Sequence, residues 1–86
     1  MTTTPQPDAF EYHPGGGKPA ISFVVVERIL PEDYERKGDR RTAYIMRHHK
    51  IATIIYARRR RGQVLFQFYE MSDGSRHMPP SEKAKL

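Results

Sequence analysis

Proline and glycine interrupt both ends of this 86-residue sequence so often that regular structure is expected only within residues 20–71. Residues 1–19 contain Pro5, Pro7, Pro14, Gly15, Gly16, Gly17 and Pro19. Such a run favours neither a ladder nor a helix, and its few apolar groups do not offset its ordering entropy. It is expected to be a flexible arm, with Phe10 and Tyr12 either a docking motif or aromatics in a disordered tail. Residues 72–86 are expected to form a second flexible tail. Ser72-Asp73-Gly74-Ser75 is turn chemistry, and Pro79-Pro80 blocks continuation. The stretch between the tails is too short to bury a generous core. Cover must come from a folded-back tail, a second copy or a larger partner. The last two are favoured, so a homo-oligomer or a subunit of a larger complex is expected.

The central stretch reads mainly as strand. Ala20 to Leu30 is rich in β-branched and aromatic residues, and period two places Ile21, Phe23, Val25 and Ile29 on one face. Pro31 ends this strand. Pro31 to Gly38 reads as a short helical turn, with proline at its first position, acids in the first turn and glycine as a left-handed cap. Residues 42–58 support two readings. Asp39 as N-cap, a basic last turn and Gly62 favour a helix. Tyr44, Ile45, Ile51, Thr53, Ile54, Ile55 and Tyr56 favour strands, and the apolar positions form no single 3.6-residue stripe. The strand reading is preferred.

Turn chemistry after Arg59 supports that preference. Arg60-Arg61-Gly62 suits a type I turn with glycine in the left-handed bulge position, a common hairpin connection. Arg59 then faces Gln63, with Tyr56 opposite Phe66 and Ile54 opposite Phe68 on one face. Ala57 opposite Leu65, Ile55 opposite Gln67 and Thr53 opposite Tyr69 make up the other. The expected architecture is mainly β: a small three- to four-stranded antiparallel meander or open barrel. One short helical turn and two flexible tails, 1–19 and 72–86, complete it around a domain spanning 20–71.

Charge supplies the functional clue. The formal net charge is +5, yet residues 40–62 carry eight cations and no acid. These are Arg40, Arg41, Arg47, Lys50, Arg58, Arg59, Arg60 and Arg61. Guanidinium groups grip phosphate oxygens in pairs, and a two-stranded ribbon fits a duplex groove. The expectation is a small basic, non-enzymatic nucleic-acid-binding protein, a regulator or accessory factor, for DNA or RNA. Its candidate contacts are those eight residues with His48, and with Tyr69 as the ring most exposed for stacking. The alternative is a protein-binding accessory subunit or inhibitor, of the kind phages and mobile elements encode, docking an acidic surface of a larger assembly. A solvated, charge-rich turn is the plain reading of the same run.

Other chemistries find less support. The chain has no cysteine, which rules out disulfides, thiolate metal sites and a thiol nucleophile. Adjacent His48 and His49 in a strand would face opposite ways and share no metal. No paired carboxylates, phosphate-cradling glycine loop or nucleophile elbow is evident. Neither a catalytic site nor a cofactor is expected. No apolar run reaches the roughly 20 residues of a membrane span, and the first residues lack a secretory pattern. No membrane contact and a cytoplasmic location are therefore expected.

Overall fold

A computed structural model describes residues 8–86. The first seven residues of the expected N-terminal arm lie outside the described residues. The protein is mainly β. Five antiparallel strands follow one another in a meander that curls into a half-barrel: β1 (Ala9–Tyr12), β2 (Ile21–Ile29), β3 (Ile51–Arg59), β4 (Phe66–Met71) and β5 (Arg76–His77). Helices α1 (Pro31–Arg36) and α2 (Arg40–His48) connect β2 to β3, and α3 (Pro80–Lys83) follows β5.

The concave face holds the core. Phe23, Ile55, Ala57, Phe66, Phe68 and Met78 are buried there, with Phe10, Tyr12, Ile21 and Val25 packed around them. The curl is visible in one contact. Phe10 on β1 meets Phe68 on β4 edge-on, with ring centroids 4.9 Å apart, although a flat sheet would separate those strands by about 14 Å. Phe23 makes the same kind of contact with Phe68, also at 4.9 Å. Beyond Phe10, the Arg76 guanidinium of β5 lies 4.8 Å from the Phe10 ring centre, so the sheet's two outermost strands touch. Glu70 adds to this closure by pairing with Arg28 of β2 at 3.3 Å and Arg76 at 3.2 Å, while Arg28 also pairs with Asp8.

Both expected tails therefore contribute structure. The N-terminal stretch supplies β1, because Phe10 and Tyr12 have an aromatic face to join once β2 presents Phe23 and Ile21 opposite them. The C-terminal stretch turns at Gly74, makes β5 and delivers Met78 into the core, 5% exposed. Apolar burial in the shared core outweighs the local punctuation that suggested disorder.

The segment expected as strand from Thr42 is α2 up to His48, and only Ile51 onward is strand. Asp39 caps α2: its carboxylate accepts the Thr42 amide at 3.0 Å and the Thr42 hydroxyl at 2.6 Å. Those bonds, the hydroxyl first, hold the Asp39 carboxyl below its usual range. Gly38 (φ 85°) makes the hinge. It lets the Gly38 and Asp39 amides close α1 on the carbonyls of Glu35 and Tyr34, directly before the Asp39 cap. Helix α2 then buries Ala43 and Met46 against the convex side. The strand-favouring residues Tyr44 and Ile45 stay outside, 68% and 44% exposed. Their β preference has no packing to enforce it, so the caps and the inward pair decide.

Two irregularities redistribute side chains between the faces. A bulge at Val26 shifts the β2–β3 register, so Ile29 pairs with Ile54 on the convex face instead of following Val25 on the concave one. The β3–β4 hairpin forms, but one residue out of the expected register. Ala57 faces Phe66, Ile55 faces Phe68 and Ile54 faces Tyr69. Gly62 takes no left-handed conformation; its amide bonds the Arg59 carbonyl at 3.0 Å, and pairing resumes only at Phe66. The connection is therefore longer than the expected bulged turn, and Val64 and Leu65 leave the ladder.

The edge of β4 beyond β5 is completed by a side chain. Glu82 of α3 accepts the Gln67 backbone amide at 2.7 Å and pairs with Lys85 at 3.0 Å. Burial, the largest single influence, pushes the Glu82 carboxyl up; the Gln67 and Lys85 bonds outweigh it, and the net effect is a lowered pKa. A group lowered in the folded state stabilises above its unfolded pKa and loses that contribution as pH falls through the folded one. Glu82→Ala is expected to cost about 1–2 kcal/mol at neutral pH. The gap from wild type should narrow in denaturant melts taken progressively below about pH 4.3; a pH-independent gap would contradict the assignment.

Candidate nucleic-acid interface

Arg58 and Arg59 end β3, and Arg60 and Arg61 begin the connection to β4. Strand alternation sends the first two to opposite faces, Arg58 beside Val24 on the convex side and Arg59 beside Phe23 on the concave side. Arg58 folds back and donates to the Arg59 and Arg60 carbonyls at 3.1 and 3.0 Å, bracing the turn. Arg59 rests 5.8 Å from the Phe66 ring centre, where Lys85 also approaches at 6.0 Å. Arg60 and Arg61 are exposed and have no side-chain hydrogen bond among the described residues. Positive charge thus surrounds the strand end instead of lining one face. Around it lie exposed apolar side chains: Val26 at 54%, Val64 at 59% and Leu65 at 46%.

Ion pairing separates these arginines from four of the other six in the molecule. Arg28, Arg36, Arg47, Arg76 and Lys85 all lie within 4 Å of carboxylates. Among the described residues, none of Arg58, Arg59, Arg60 and Arg61 does. Arg40 and Arg41 of α2 are likewise unpaired among the described residues, but only at this end of β3 do four consecutive guanidinium groups go uncompensated.

The remaining expected contacts do not converge there. Arg40, Arg41, Arg47 and His48 belong to α2, and Lys50 sits in the turn leading into β3. That turn lies at the opposite end of a nine-residue strand, about 26 Å from the arginine run. Arg47 is spoken for: it pairs with Glu35 at 2.8 Å and Glu32 at 3.5 Å, tying α2 to α1. The Arg47 bond holds the Glu35 carboxyl below its usual range. Tyr69 is half-buried beneath the helices, on the face it shares with Ile54. Among the described tyrosine and phenylalanine rings, the most exposed is instead Tyr44 of α2. The strand reading hid it, although Arg41, Tyr44, Ile45 and His48 recur at helical spacing after the Asp39 cap.

Asp73 and His77 both contact the Ser75 hydroxyl, at 2.6 and 3.1 Å. The histidine is therefore not placed between acid and alcohol as a relay would need. Among the described residues, no three His, Asp or Glu side chains gather to hold a metal. No helix among them is long and apolar enough to cross a membrane.

Fold and charge together define a small curled β-meander, helix-covered on its convex side, with an unneutralised arginine cluster at one strand end. Comparison with known proteins finds no matching family, curated protein or solved structure.

Proposed function

We propose that this protein binds nucleic acid without catalysing a reaction, acting in the cytoplasm as a regulator or accessory factor. One observation carries the reading: Arg58 to Arg61 stand consecutively at one strand end and, among the described residues, none of the four has a carboxylate partner, whereas Arg28, Arg36, Arg47 and Arg76 do. Charges left uncompensated at a strand end attract phosphate, which guanidinium groups bind through two parallel hydrogen bonds. Arg60 and Arg61 project freely and make first contact. Arg58 and Arg59 divide their role between holding the turn and adding to its field.

The test is binding to duplex DNA, single-stranded DNA and RNA over a salt series. If two to four phosphates are neutralised, log affinity should fall linearly with log salt, with a slope of about −1.5 to −3.5. A flat dependence, or no binding at low salt, overturns the proposal.

The exposed Val26, Val64 and Leu65 around the arginines favour a second reading, docking on an acidic protein surface. A pull-down from nuclease-treated lysate separates the two. A partner that survives nuclease supports protein docking, and its loss supports nucleic acid.

A further inference from the structure

We infer that the outer face of α2 is a stacking platform for unpaired bases, which makes the nucleic acid single-stranded; this rests on the proposed nucleic-acid function. Arg41, Tyr44, Ile45 and His48 form one stripe at helical spacing, directed away from the Ala43 and Met46 side that meets the sheet. Tyr44 is 68% exposed, more than any other large apolar side chain among the described residues. No core contact fixes its ring. It lies nearly parallel to His48, one helical turn on, with centroids 6.0 Å apart and planes inclined by 16°. His48 in turn meets His49 edge-on at 5.2 Å. The result is an exposed cluster of rings led by Tyr44.

Charge on the same helix is sorted by direction. Arg47, which faces α1, has two carboxylates. Arg40, seven positions before Arg47, lies on that same side, near Glu35, whereas Arg41, three positions before Tyr44 on the outer stripe, has no carboxylate partner among the described residues. A planar ring with the unpaired Arg41 guanidinium beside it matches the needs of a nucleotide, with its π-face on the ring and its phosphate on arginine. In a duplex both faces of each base are already covered, so such a ring gains nothing from it; an unpaired base offers its face. The arginine run at the far end of β3 supplies a second grip on the same backbone.

The experiment uses the full chain with a short single-stranded DNA carrying 2-aminopurine, a duplex of equal length, and poly-glutamate as an acidic polypeptide. Affinity is read by anisotropy, stacking by 2-aminopurine quenching and folding by circular dichroism. Tyr44→Ala should weaken single-strand binding about tenfold or more and abolish quenching, leaving duplex affinity and the melt unchanged. Tyr44→Phe, which keeps the ring, should behave as wild type. Single-strand binding indifferent to Tyr44→Ala overturns the platform while sparing the nucleic-acid reading. Poly-glutamate binding with the same Tyr44 dependence overturns base stacking in favour of protein docking. Absence of binding to both nucleic acids at low salt overturns both.

Discussion

An Arg60→Gln, Arg61→Gln double variant is expected to lose at least about tenfold in nucleic-acid affinity at low salt. Its log–log salt slope should become shallower by about 1.4–1.8, one increment for each phosphate no longer neutralised. These two positions make the cleanest test, because neither side chain braces the fold. Arg58 and Arg59 serve less well. Removing Arg58 also removes the donors to the Arg59 and Arg60 carbonyls, and removing Arg59 uncovers the Phe66 ring. An alanine block across all four would therefore mix lost binding with lost stability. Titrations of the double variant beside wild type, with matched thermal melts, keep the two effects apart. An unchanged slope would remove the hairpin from the binding surface.

Phe68→Ala is expected to cost about 3–5 kcal/mol and leave the protein largely unfolded at room temperature. Phe68 is fully buried, and its ring is met by Phe10, Tyr12 and Phe23 from two other strands at 4.9–5.5 Å. With Phe23 it ties β1, β2 and β4 together across the concave face, and a domain this small has little stability to spare. Phe68→Leu, which keeps most of the volume, should retain a cooperative but earlier melt. If Phe68→Ala melted like wild type in circular dichroism, the aromatic cluster would not be the centre of the core.

The mainly β, meandering character of the chain was legible because Ala20 to Leu30 and Ile51 to Arg58 have strong strand composition. Pro31 and Gly38 likewise marked α1 in advance, since proline and glycine fix backbone geometry without tertiary help. The hairpin register was less accessible. Ile54 and Ile55 are both buried, so β3 lacks the polar alternation that ordinarily distinguishes one face from the other. With that cue missing, the register depended on the turn, and Gly62 does not make the turn its neighbours suggest. Helix α2 was obscured for a related reason. Tyr44 and Ile45 favour strand locally, and only the convex face of a sheet not yet assembled rewards Ala43 and Met46. The candidate site divided along that error. The arginine run was found where residue order placed it, whereas Tyr44 becomes conspicuous only once its segment is wound into a helix.

The contact of Arg76 with Phe10 bears on how the molecule comes apart. Outer strands of a sheet ordinarily fray independently, each at its own low free energy. Here, detaching β5 strips a cation from the Phe10 ring, and detaching β1 leaves Arg76 with its aromatic seat gone. Loosening at one extremity is thereby transmitted to the other, and two segments remote in sequence share a single opening event.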